Sequence, residues 1–264
     1  MRYRRSVAAP IDLGTLLFTA VEPHRGHEFD YNRWYETDHF YAGCLVGPYC
    51  FAGGRFVAPK RLKDLRSPAS SPMCADPLGG SLLAIYWIQK GFHDEWSAWA
   101  LATVMDLHAT GRMFSQRDHT HTAMYEHRAV HQHDTPIELA LDRAFAGLVV
   151  TAGQLHEDAS LNDVETWTGA WSSHAFTQPW GPSVIGTSTM LPLPDDAPDV
   201  PANAPDDRRF IQLHFLDHDP AQHWADGYGK WGDELEASGL ATHVWTAPYI
   251  PTVPGTDRYI NDLW

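Results

Sequence analysis

The 264-residue sequence predicts an α+β fold built from two β-α-β-β-α-β repeats that close an α/β barrel of antiparallel sheets. Three observations carry this expectation. Short β-like apolar runs alternate with two amphipathic helical stretches in each half, the same order recurs after about 130 residues, and a joint near 134–142 separates the halves. The boundaries follow as 1–138 for the first repeat and 139–264 for a second, more diverged one.

Each element has a local reason. Residues 15–21 form the first apolar run. A helical stretch over 29–45 places Tyr31, Trp34, Tyr35, Phe40, Ala42 and Leu45 at helical spacing and ends at Gly47-Pro48, because proline cannot continue a helix. Strands are expected over 49–58 and 81–89, around a Ser/Pro/Gly loop at 67–80. An amphipathic helix over 94–108 stops at Gly111, and a strand over 119–131 closes the half. The second half repeats the plan with strands at 145–155, 183–191, 209–217 and 241–251 and helices at 162–176 and 220–238. The acidic, proline-rich tract 192–208 reads as a solvated loop. Each repeat is a ferredoxin-like unit, with helices on one sheet face and the other face left to be buried.

Composition excludes several classes. Hydrophobic residues at 44% and charged residues at 20% are ordinary globular usage, and no apolar run approaches the roughly 20 residues that span a bilayer. The basic start, Arg2 to Arg5, is followed by too short an apolar run for a secretory signal, so a cytoplasmic protein is expected. A net charge of −14 argues against nucleic acid and anionic membranes as partners. Cys44, Cys50 and Cys74 cannot form a closed disulfide framework and have no familiar metal spacing. A dinucleotide fingerprint, a Gly-x-Ser-x-Gly elbow and His-Glu-x-x-His are all absent from the sequence.

Three groups of residues carry chemistry. On the helix after the first strand, Tyr31, Tyr35, Asp38 and His39 share a side, and Tyr35 and His39 lie one turn apart. Such a pair acts on one substrate, with His39 as acid/base and Tyr35 as donor to an oxyanion, or His39 simply packs the helix. On the strand after the second helix, period-two alternation puts His119, His121, Tyr125, His127 and His131 on one face. This face is a polar pocket wall, the start of a metal site, or an exposed, pH-sensitive edge or subunit interface, and His-x-His alone completes no metal site. The third group is aromatic. Trp34, Trp87, Trp96, Trp99, Trp167, Trp171, Trp224, Trp231 and Trp245 fall at core-compatible positions, whereas Tyr86, Trp245 and Tyr249 are placed to floor an aromatic-binding cavity. His214 and His243 face the same interior or a second cavity.

The run from Phe29 to His39, followed by Pro48 and then Gly53-Gly54-Arg55-Phe56, resembles the EthD-like group of dimeric α/β-barrel proteins, which carry a Trp-Tyr-x-x-x-His helix, a Pro-Gly turn and an Arg-rich strand. About 45 residues carry the likeness; in the second half His174 and Pro182 echo His39 and Pro48 without the Trp-Tyr pair. The wider superfamily holds cofactor-free cyclases, isomerases and monooxygenases of aromatic compounds, together with haem-binding branches. The substrate expected is a small aromatic or phenolic compound, with a homodimer as one assembly and no cofactor or metal. The function expected is a lyase, dehydratase, isomerase or cyclase using His39 and Tyr35 in the barrel cavity, with Tyr31, Trp34, Arg55, Tyr86, His119, His121 and Tyr125 binding the substrate. The alternatives are a His-ligated metal- or haem-dependent oxidoreductase and a non-catalytic binding protein.

Overall fold

A computed structural model describes residues 10–192, 200 and 206–264. Eight antiparallel strands form one closed barrel: β1 (Leu13–Pro23), β2 (Cys50–Val57), β3 (Leu82–Gln89), β4 (Arg117–Gln132), β5 (Gly147–Leu155), β6 (Val184–Leu191), β7 (Arg209–Leu216) and β8 (Ala241–Pro251). Around the barrel the order is β1-β3-β2-β8-β5-β7-β6-β4. Each half thus contributes a sheet of order 4-1-3-2, as a ferredoxin-like unit requires. The halves are joined unequally. Strand β4 pairs with β6 from Met124↔Leu191 to Gln132↔Val184, whereas β2 meets β8 only at Phe56↔Pro251 and Val57↔Ile250.

The helices lie outside the barrel. In the first half these are α1 (Glu28–Trp34), which runs into a π-helical segment (Tyr35–Leu45), the single turn α2 (Lys60–Lys63), and α3 (His93–Ala109). The second half has α4 (Leu161–Ala175), started by a capping box between Ser160 and Asp163, and α5 (Tyr228–Ala237). Helix α5 is shorter than the stretch expected from sequence. Residues 221–227 form turns in which His223 takes a positive φ of 60°, so apolar spacing there does not become a helix. Most of the acidic tract, 193–199 and 201–205, lies outside the described residues.

The barrel interior is solid. Leu16, Phe18 and Ala20 of β1 are 1% exposed or less, Phe18 meets His121 and Tyr125 edge-on at 5.9 and 6.2 Å, and Trp87 reaches across to Phe215 at 6.4 Å. Phe145 adds a further ring at 5.5 Å from Phe215. Side chains of this size fill an eight-stranded barrel, as the geometry of such barrels allows. The expectation of a ligand inside the barrel is therefore corrected. The space left by the fold lies between the outer face of β1 and β4 and the helices that cover it.

Candidate functional site

A cavity of about 130 Å³ sits under the π segment and α3. Strand β1 supplies Leu17, Thr19 and Val21, β4 supplies Arg117, His119, Thr122 and Met124, and α3 supplies Trp96, Ser97, Ala100, Leu101 and Val104. Tyr31, Tyr35, His39 and Gly43, four residues apart along α1 and the π segment, line it too, with Cys44, Met113 and Val200. The wider π winding keeps that spacing of four on one line facing the sheet, and π-helical turns are rare enough to mark functional places. Gly47 ends the segment under Trp96 and Trp99. A Cβ there would come within 2.5 Å of the Trp99 ring, so only glycine lets the chain turn against α3.

His39 is held by rings. Its imidazole stacks on Trp34 at 4.5 Å with planes 16° apart and meets Tyr35 edge-on at 5.4 Å. Its Nδ1 is buried with no hydrogen-bond partner. Burial, reinforced by Arg117, His119 and His108, lowers its pKa to about 3, with Asp38 opposing. The ring is therefore neutral at neutral pH: a hydrogen-bonding imidazole and only a feeble base. On the opposite wall His119 Nδ1 lies 2.8 Å from Thr122 Oγ1, which lies 2.8 Å from Thr19 Oγ1.

The other expected site residues divide. Tyr31 and Tyr35 line the cavity, but the Tyr35 hydroxyl is 3.0 Å from the Tyr86 hydroxyl, which in turn bonds Cys44. Tyr86 is fully buried behind Tyr35. Trp34 is the backing plate for His39, with its Nε1 donating to the Arg112 carbonyl at 2.7 Å and the Arg117 guanidinium 5.2 Å from its ring. Arg55 lies over the far side of Tyr35, donating to Asn32 Oδ1 at 2.8 Å and 3.9 Å from Glu36, in a network that ties α1 to the loop at Asp257.

The single-face expectation for β4 is corrected. Ala20 pairs with His121 but Val21 pairs with His119, so Thr120 is an extra residue that reverses the alternation. His119 consequently faces the cavity, while His121 and Tyr125 face the packed barrel interior, where His121 Nε2 lies 2.8 Å from the Tyr125 hydroxyl. A second register shift between His127 and Ala129 accompanies His131 turning to Glu165 of α4, at 3.0 Å. No group of three or more His, Cys, Asp or Glu arranged for a metal ion occurs among the described residues. Gly43, Thr19, Thr122, Arg117 and Ala100 were not singled out from the sequence as site residues. The four-residue series through positions 31, 35 and 39 contains the signal for Gly43.

No protein-family model and no curated protein sequence matches the chain. Solved structures do. A candidate chlorite dismutase is 10% identical, covered over 96% of this chain and 100% of its own, with a TM-score of 0.55. A haem-binding protein from Thermus thermophilus is 10% identical over 96% of this chain and 98% of its own, with a TM-score of 0.51. An encapsulated DyP-type peroxidase from Mycobacterium smegmatis is 9% identical over 98% of this chain and 96% of its own, with a TM-score of 0.50. At such identities the likeness establishes the ferredoxin-like α+β fold, and the EthD-like group is not distinguished within it. The names of these neighbours, a candidate chlorite dismutase, a haem-binding protein and a peroxidase, contradict the expected lyase or isomerase.

Haem must then be tested against the residues present. His39 offers a neutral nitrogen, yet the cavity before it is on the scale of the roughly 150 Å³ space that holds one benzene. His214, also lowered to about 3 by burial, is enclosed by Tyr228, Trp171 and Trp231 at 5.3, 5.6 and 6.3 Å. Neither arrangement accommodates a macrocycle. As placed, His39 and His214 do not fit haem. Among these residues no helix is long and apolar enough to cross a membrane.

Proposed function

We propose that the chain is an oxidoreductase acting on a small single-ring aromatic or phenolic compound. The observation that carries this is the ring-sized apolar cavity between β1, β4, α3 and the π segment, walled on one side by the neutral imidazole of His39. The names of the structural neighbours support oxidation chemistry. The run Trp34-Tyr35-x-x-x-His39 supports a place near the EthD-like group. We read 1–138 and 139–264 as the two copies, in a cytoplasmic protein whose homodimerisation light scattering would reveal.

In this proposal the aromatic ring packs against Leu17, Ala100, Leu101 and Val104, out of water. A substrate O–H donates to the His39 imidazole, which holds the proton's place while two electrons leave the substrate. Dioxygen or a peroxide is the oxidant class: two electrons and two protons convert dioxygen to hydrogen peroxide, or hydrogen peroxide to two waters. Incubating the protein with a panel of single-ring phenols, with and without each oxidant, tests this. Oxidant-dependent loss of two hydrogens is expected by mass spectrometry, reduced at least about tenfold in His39→Gln. Phenols that bind and emerge unchanged under every oxidant, or a product of unchanged mass formed without air, would sink the proposal.

A further inference from the structure

The chain that follows β8 returns to the first half and lies along α1. Ile260 and Leu263 anchor it, both buried, and the Trp264 indole donates to Glu22 Oε1 of β1 at 2.8 Å. Between β8 and these anchors it is bonded to α1 and to the start of the π segment. Asn32 Nδ2 donates to the Thr256 carbonyl at 3.1 Å and to Asp257 Oδ1 at 3.2 Å. The Gly255 N–H donates to Glu36, and Arg33 donates to Asp257 Oδ2 at 2.8 Å. Tyr259 takes a φ of 74° in this segment, a conformation that is costly for a bulky L residue and persists only where its surroundings impose it.

Asn32 is the hub of these bonds. It is 2% exposed, its amide nitrogen serves both acceptors of the returning segment, and its Oδ1 accepts from Arg55 at 2.8 Å. A buried amide partnered at both ends fixes a helix in place, because moving it orphans several groups at once. The Arg33–Asp257 ion pair is more exposed and adds little by itself. Arg55 carries the contact onward: its guanidinium lies 5.2 Å from the ring of Tyr35, which lines the cavity. Bonds therefore run from residues 256 and 257 through Asn32 and Arg55 to a wall of the ring cavity.

We infer that the segment 252–264 sets that wall from behind, and that Asn32 is the positioning residue through which it acts. It fixes α1, and with it Tyr31, Tyr35 and His39, against the sheet. The second half then works as a built-in partner of the first-half site as well as half of the barrel. The inference rests on the proposed function for the ligand used in its test, although one of the two readouts needs no ligand.

Asn32→Asp keeps the side-chain shape and the bond from Arg55, but turns the donating amide into an acceptor facing the Thr256 carbonyl and Asp257. In the full-length protein, affinity for phenol is read by ligand-observed NMR, and the ring signals of Tyr35 and His39 by aromatic NMR. Affinity should fall about tenfold, and both sets of signals should move. Adding Asp257→Asn restores a donor opposite the new carboxylate, so the double variant should regain most of the loss. An Asn32→Asp protein that melts earlier yet binds phenol within twofold, its ring signals unmoved, overturns the inference, as does a double variant with no recovery. Should Asn32→Asp fail to fold, Asp257→Ala at its more exposed site carries the test. It should move the same signals and weaken phenol at least threefold, and no change in either overturns the inference. Phenol that fails to bind the unaltered protein removes the proposed function alone, and the ring signals still decide the role of Asn32.

Discussion

The imidazole of His39 occupies the place where a side chain on Gly43 would stand: a Cβ there would lie 2.6 Å from Cε1 and 2.8 Å from Nδ1. The absent side chain lets the ring lie flat on Trp34 and close the cavity wall.

Gly43→Ala should therefore displace His39 while leaving the barrel intact. Crowding of this kind costs about 1–3 kcal/mol. Turnover should fall as far as in His39→Gln, with the His39 side-chain NMR signals moving away from their ring-shifted positions. Unchanged signals and turnover would show that the ring is not constrained by its neighbour.

Tyr35→Phe separates two roles for one side chain. Its hydroxyl is committed to Tyr86, on the far side from the cavity floor, and its ring lines the cavity. Loss of the hydroxyl should cost about 0.5–1.5 kcal/mol of stability in denaturant unfolding. Affinity for a single-ring phenol should stay within twofold. A drop of more than tenfold in ligand binding or turnover with little stability change would instead place that hydroxyl on the substrate.

Ala100→Leu introduces a branched side chain into a space of about 130 Å³. Ring binding should be lost, because the cavity then has no room for six carbons. Stability should be unchanged or slightly raised, as cavity filling commonly does. Undiminished binding of a single-ring phenol in this variant would move the ligand elsewhere.

Acid should unfold this protein through its histidines. Burial holds His39 and His214 at about 3 and His121 at about 4, all below the ordinary 6.5. Between those values and 6.5 the unfolded chain binds protons that the folded chain refuses. Stability is therefore highest above pH 6.5 and falls as the pH drops toward 3, by about 1.4 kcal/mol for each unit of offset in each group. His214→Phe should flatten part of this slope in denaturant titrations run between pH 4 and 7. An unaltered slope would mean that His214 titrates normally.

Much of the architecture was legible in the chain itself. Apolar periodicity, Gly47-Pro48 and the recurrence of element order locate all eight strands and α1, α3 and α4, because these signals are local and nearly all the strands bury apolar side chains on both faces. The four-residue series 31, 35, 39 likewise places Tyr31, Tyr35 and His39 on one line.

Tertiary structure decided the rest. Whether β4 shows one face or two depends on pairing with β1, and the extra residue Thr120 leaves no mark in a sequence that still alternates around it. Whether the barrel is hollow depends on rings from β1, β3, β4 and β7 meeting across it, which no single segment encodes. The recess at the cavity mouth is of the same kind: Arg117 and His119 come from a strand and His108 from a helix, and only packing gathers them. Local sequence fixes the period of each element; the register between elements chooses which side chains share a space.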